Sequence, residues 1–214
     1  MTSLVDQIDE EIHGKSLLKH PFYEMWSRGE LSRDDLRGYS KEYFQLVKIV
    51  PHLVQNVLAL AKSQVRNQIT HSLKEEEEHI GLWKRFAVSL GVSAEELDFH
   101  PAYPETIEAL KALDSTTRSS FIEGVAAMYA YELEIPKISS TKIKGLKQFY
   151  GPDTLDSRAY FEAHEEADVR HAGIWRSILL DNEDEGQALN AASKSLDAQN
   201  QLLTSVMKNH MKLG

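Results

Sequence analysis

The sequence predicts an all-α, single-domain protein, a bundle of seven to eight helices over residues 1–214. Apolar residues recur every three or four positions along most of the chain, the period of a helix with one buried face. No stretch alternates β-branched and polar residues between hairpin turns, as strands would. Residues that start and stop helices stand at the edges of the periodic segments.

In chain order, the period marks helices over 3–14, 20–28, 33–62, 64–90, 104–113, 117–143, 154–181 and 186–211. Ser32 opens the third with an acidic first turn and Asp35 three places on, and Ser93-Ala-Glu-Glu96 is a capping box. Gly91 closes the 64–90 segment, and Gly151-Pro152 sets off the last two long helices. Pro51 lies inside a long helical pattern and should kink it; Pro136 should bend or break the 117–143 segment. The chain has no internal repeat and no low-complexity segment.

Composition narrows the function. The chain is 42% hydrophobic and 27% charged, ordinary for a globular protein. With 24 Lys plus Arg against 33 Asp plus Glu, it carries a formal net charge of −9. It has no basic block, which argues against nucleic acid and anionic membrane as partners. No apolar run approaches the ~20 residues of a membrane span, and the N-terminal stretch is too acidic for a signal peptide; a cytoplasmic location is expected. Cysteine is absent, so disulfides, thiolate metal sites and a cysteine nucleophile are excluded. Any metal must be held by imidazole and carboxylate, which suit iron, manganese or zinc.

Two helical segments carry an acid three places before a histidine: Glu76-x-x-His79 and Asp168-x-x-His171. One helical turn puts such residues on the same face, and dimetal carboxylate bundles repeat this unit on two helices, with further carboxylates from others. His164 extends the second copy to His164-x3-Asp168-x2-His171. The bland reading of that set is a solvated polar face. Tyr160 and Trp175 bracket it at four-residue spacing, however, which predicts burial, where unpaired imidazoles and carboxylates are costly.

The run Glu75-Glu76-Glu77-Glu78 reads first as solvated charge, but a helix turns one or two of four inward, and Leu82, Trp83 and Phe86 follow His79. Glu76 or Glu75 can therefore share its face. Glu132 ends a nearly uncharged run from Val125, so its helix face is deep and it needs a metal, an Arg or a proton. His164-Glu165 suggests a zinc-protease motif, but position 168 is Asp rather than the second His, and that reading fails.

His20-Pro-Phe-Tyr-Glu-Met-Trp26, Trp26-Ser-Arg-Gly-Glu-Leu31, Tyr129-Ala-Tyr-Glu132 and above all Tyr160-Phe-Glu-Ala-His-Glu-Glu-Ala-Asp-Val-Arg-His171 resemble the family of the Chlamydia protein associating with death domains and its bacterial relatives. Those are haem-oxygenase-like dimetal oxidases that make para-aminobenzoate. The resemblance spans nearly the whole chain. It implies a ligand set of Glu76, His79, Glu132, His164, Asp168 and His171 for two transition-metal ions (Fe/Fe or Fe/Mn), with O2 as co-substrate and an external reductant. It also implies a self-sacrificing reaction in which Tyr23 becomes the ring of the product, Lys142 donates the amine, and Tyr131 and Tyr160 transfer radicals. A homodimer is the expected assembly. A family member has a Gly/Pro-containing insertion between its first Glu and His that is missing here, so Glu75, Glu76 and Glu77 compete for the ligand role, with spacing favouring Glu76.

Read without the resemblance, Tyr23 is a half-buried aromatic and Lys142 a solvated lysine among Lys137, Lys144 and Lys147. Other readings compete. Thiamine-degrading relatives of the same architecture use a cysteine nucleophile, which this chain lacks. Haem oxygenases need an N-terminal proximal histidine, for which His13 or His20 could serve. A dimetal oxygenase acting on an external small molecule, or a non-enzymatic helical interaction protein, completes the set.

Overall fold

The computed structural model describes residues 3–151, 153–180 and 185–211, which are almost wholly helical and contain no strand. The α-helices are α1 (Leu4–Gly14), α2 (Pro21–Arg28), α3 (Arg33–Leu60), α4 (Ser63–Ser89), α5 (Ala94–Asp98), α6 (Pro104–Thr117), α7 (Phe121–Glu132), α8 (Ile135–Gly145), α9 (Leu155–Leu180) and α10 (Glu185–His210). Pro152 and residue 181, used as boundaries above, lie outside the described residues.

Local chemistry accounts for the ends. Ser3 with Asp6, Ser32 with Asp35 and Ser93 with Glu96 form reciprocal capping boxes. At α2, His20 caps the Phe22 N–H and Pro21 occupies the first turn, where its missing N–H costs nothing. Gly29 closes the same helix at φ 71°, a left-handed conformation that glycine adopts without strain.

The structure bears out the break expected at Pro136 and corrects several boundaries. The 117–143 pattern is two helices: Ser120 caps Glu123, so α7 starts later than periodicity suggested. α7 then stops at Glu132, because Pro136 has no N–H to give the Glu132 carbonyl and its ring would collide there. The 104–113 helix runs on to Thr117. The Ser93 capping box opens a five-residue helix, α5, too short for its period to be read. A π-helical turn, Leu146–Tyr150, follows α8 and was not foreseen. At Pro51 the helix continues without a break through to Leu60.

α9 runs through the middle of the bundle, packing against α4, α7 and α8, while α10 covers α6 and α7 and α3 packs on α4. The core is continuous and rich in large aromatics: Trp26, Trp83, Trp175, Tyr23, Tyr39, Phe44, Phe86 and Phe161 are all fully buried. The Trp83 indole N–H donates to the Ser40 carbonyl at 2.8 Å, pinning α4 to α3. The contacts of α9 thus place the acid-x-x-His pair of α4, the last residue of α7 and the three-residue set of α9 around one interior point.

Candidate metal centre

All six residues named for metal binding are buried and converge. Glu76, His79, Glu132, His164, Asp168 and His171 are each 5% exposed or less. One donor atom each from Glu76, His79 and His164 lies within 4.8 Å of the other two, and Glu76, Glu132 and His171 form a second such triad. Glu76 belongs to both. Its Oε2 faces His79 Nδ1 at 3.4 Å and its Oε1 faces His171 Nδ1 at 3.4 Å. A carboxylate shared between two triads in this way is what bridging two ions requires. Asp168 stands in neither triad, but its Oδ1 lies 3.5 Å from His171 Nδ1.

The donor atoms are oriented by a surrounding shell. His164 Nδ1 lies 2.7 Å from the Tyr160 carbonyl one turn back, so it carries the proton and Nε2 is left as a lone pair. The Trp175 indole N–H donates to Glu132 Oε2 at 2.6 Å. Glu75 accepts from His171 Nε2 at 2.8 Å and from Arg170 at 2.5 Å, which leaves His171 Nδ1 turned inward. The four glutamates therefore divide as a helix must divide them. Glu76 points in, Glu75 steadies His171 from outside, and Glu77 and Glu78 are exposed.

The protein alone leaves this site unsatisfied. Glu132 Oε1, both oxygens of Asp168 and His171 Nδ1 are buried without a hydrogen-bond partner, each a cost of several kcal/mol in the absence of a ligand. Burial raises the pKa of Asp168 and of Glu132, the latter well above the usual range despite nearby His171. Burial also pushes Glu76 up, but hydrogen bonds from His171 and His79 outweigh it and hold that carboxyl low. His171 is disfavoured as a cation by burial, yet Asp168, Glu76 and Glu132 drive its pKa up to about 11. Hard oxygen and imidazole donors around a point that their carboxylates make electronegative are the donor set of iron, manganese or zinc; the residues fit a pair of such ions. A cleft of about 300 Å³ lined by His71, Ser72, Glu75, Arg170, His171 and Ile174 opens beside it.

Two of the residues named for catalysis, Tyr160 and Tyr131, border the centre itself. Tyr160 is buried with its ring centroid 4.1 Å from that of His164, and Tyr131 is close enough to Glu76 and Asp168 to feel their charges. Trp83 packs 4.7 Å from Tyr160, 5.1 Å from Tyr43 and 5.7 Å from Tyr39, a contiguous row of rings leading away from the centre.

At the far end of that row sits Lys142, 2% exposed and not the solvated lysine that composition suggested. Its ammonium lies 5.4, 5.0, 4.9, 5.8 and 5.1 Å from the ring centroids of Tyr23, Tyr39, Tyr43, Trp83 and Phe161, and it donates to the Tyr39 hydroxyl. No carboxylate pairs with it among the described residues. Burial lowers its pKa to about 7. Tyr23, expected to be half-buried, is 1% exposed, and its hydroxyl has no partner. Burial raises its pKa well above 10. Sequence reasoning missed Tyr39, Tyr43 and Trp83 as walls of this cage. The Tyr39-x3-Tyr43 spacing, one face of α3, was the available signal.

A family described as iron-containing redox enzymes, of haem oxygenase-like type, matches residues 37–200. A protein of Chlamydia muridarum named 4-aminobenzoate synthase is 38% identical over 89% of this chain and 84% of its own. A like-named protein of Nitrosomonas europaea is 31% identical over 95% and 91%. Among solved structures, a TenA homologue from Pseudomonas syringae superposes with a TM-score of 0.82 at 17% identity, covering 96% of this chain and 91% of its own. A CADD-like protein of unknown function from Nostoc punctiforme gives 0.72 at 16% identity, covering 98% and 97%. At such identities the superpositions show the fold alone. The chain is an oxidoreductase and belongs to the haem oxygenase-like family of iron-containing redox enzymes.

Proposed function

We propose that this oxidoreductase forms 4-aminobenzoate from its own Tyr23, with Lys142 as the nitrogen donor. The observation that carries the reading is the buried amine of Lys142, 5.4 Å from the ring of Tyr23 and without a carboxylate partner. The names of the relatives support the product. Glu76, His79, Glu132, His164, Asp168 and His171 would hold two ions, Fe/Fe or Fe/Mn, which supply O2 activation and oxidising power drawn from O2 and an external reductant.

The remaining work belongs to the chain. A tyrosine already contains the product's benzene ring, a Cβ that O2-driven oxidation converts to carboxylate once the Cα–Cβ bond is cut, and a para carbon whose oxygen leaves as water when the oxidised ring condenses with the Lys142 amine; shift of the imine to Cε and its hydrolysis then cut Cε–Nζ, leaving an aldehyde at residue 142. Its high pKa keeps the Tyr23 phenol in the neutral form. Tyr160 and Tyr131, beside the centre, and the ring row through Trp83 to Tyr39 give the hole a path of short steps. A pKa of about 7 leaves roughly half of Lys142 as the free amine at neutral pH, the nucleophilic form. The closed aromatic cage keeps water from competing at the para carbon.

The test is isotopic. Ring-labelled tyrosine incorporated during expression should appear in the product, at no more than one molecule per chain, whereas free labelled tyrosine in the assay should not. Tyr23→Phe should make no product with both metals bound. Sustained turnover, or full activity of Tyr23→Phe, would replace this reading with an oxygenase acting on an external small molecule, for which the cleft beside His171 is the approach.

A further inference from the structure

A second carboxylate–imidazole cluster lies where α3, the end of α10 and the α5–α6 connection meet, using residues with no part in the centre above. Glu42 is on α3, His100 on the connection between α5 and α6, and His210 is the last residue of α10. One donor atom from each lies within 4.8 Å of the others. Glu42 is completely buried. Its Oε1 accepts the Tyr103 backbone N–H at 3.0 Å, and its Oε2 accepts from His100 Nε2 at 2.6 Å.

Those two hydrogen bonds do not use up the cluster. His210 Nε2 is shielded from solvent and has no hydrogen-bond partner. It points at Glu42 Oε2 across 3.9 Å, too long for a hydrogen bond. A cation with N and O bonds of roughly 2.0–2.2 Å each spans such a gap. The chain is also cut to admit the ring. A Cβ on Gly38, one turn before Glu42, would lie 2.5 Å from His210 Cγ and Nδ1, so only glycine lets this imidazole rest on α3 above the carboxylate. The edge of Tyr103, with ring centroids 5.3 Å apart, holds the ring from the other side. His100 and His210 are 11% and 14% exposed at the side chain, and a surface cleft bordered by His100 gives an ion a way in.

We propose that Glu42, His100 and His210 form a separate, mononuclear site for a borderline divalent transition metal, Zn2+ in the first instance. Two imidazoles and one carboxylate are a ligand set for such ions, with water left to complete the shell. Binding displaces the proton that His100 now shares with Glu42, as metal binding to protonated ligands must. The ion would staple the end of α10 to α3 and to the α5–α6 connection, segments far apart in sequence.

Chelator-stripped full-length protein, loaded with Zn2+ and desalted, should hold one more zinc per chain than His210→Gln or Glu42→Gln, read by elemental analysis. The same difference of one should persist when His164→Ala and His171→Ala have broken the first centre. Zn2+ should raise the Tm of that doubly substituted protein and leave its His210→Gln derivative unmoved. Crystals of the unsubstituted protein soaked in Zn2+ should show anomalous density between Glu42 and His210. Equal zinc content with and without His210→Gln overturns the proposal, as does an absence of anomalous density at Glu42; the latter needs no variant to fold.

Discussion

Lys142 offers a quantitative check on the structure, because its environment sets a pH dependence that can be isolated by substitution. In the unfolded chain its amine titrates near 10.5; burial in the cage lowers that to about 7. Between these values the unfolded chain binds more protons at this residue than the folded one, so folded stability rises with pH, by up to about 1.4 kcal/mol per pH unit. Below pH 7 both states are protonated and the full penalty, about 5 kcal/mol, is present; above 10.5 it is gone. Lys142→Met keeps the length and apolar stem while removing the titration. Urea unfolding of both proteins at pH 6, 7, 8 and 9 should give parallel stabilities below pH 7. From pH 7 to 9 the unsubstituted protein should gain on the variant by about 2 kcal/mol. The neighbouring tyrosines do not confuse the comparison: burial pushes Tyr43, Tyr23, Tyr39 and Tyr160 above the usual tyrosine range, and the two proteins share them. A stability difference flat from pH 6 to 9 would mean that Lys142 reaches water or a counter-ion, and the free-amine argument would fall with it.

Further outcomes follow from other contacts. His164→Ala or His171→Ala should lose at least one metal ion by elemental analysis and all product formation, with helical circular dichroism retained. In metal-free protein, the Glu132 carboxyl is stabilised in its protonated form, so the native state should lose stability relative to Glu132→Gln as pH rises from 5 to 7, seen in Tm; no change in the gap would contradict the burial described. Gly145→Ala places a Cβ 2.3 Å from Trp26 Nε1, one helical turn from Lys142. Overpacking of that kind should cost about 1–3 kcal/mol in denaturant unfolding and reduce product yield by moving the amine.

The helices and the six inward residues were legible because both are encoded within one turn of chain. Capping boxes, acid-x-x-His spacing and the aromatic bracket of Tyr160 and Trp175 are local patterns, and α4, α7 and α9 present them to one another. The role of Glu75 was not legible. Its meaning comes from Arg170 and His171, 95 and 96 positions away. Lys142 misled for the same reason: its neighbours along the chain are solvated lysines, while its neighbours in space come from α2, α3, α4 and α9. Glu42, His100 and His210 have no spacing at all to betray them. The split after Glu132 was half legible, since Pro136 announced a break without saying on which residue it would fall.

The complete burial of Tyr23 also bears on how long a chain lasts. α2 is tied down at both ends, by the His20 cap and by the Tyr150 hydroxyl, which donates to the Met25 and Trp26 carbonyls. Under the proposed reaction, the helix is therefore held from collapsing inward when Tyr23 loses its ring. A phenol-sized void would remain among Phe22, Tyr39 and Lys142, and truncation of a buried aromatic costs about 3–5 kcal/mol, a large part of the 5–15 kcal/mol that typically separates folded from unfolded. Chains that have given up the ring would open more often than fresh ones and be degraded first. Under that regime the cell would measure its supply of the product in ribosome time, one newly made chain per molecule, with proteases clearing the used ones by their softness.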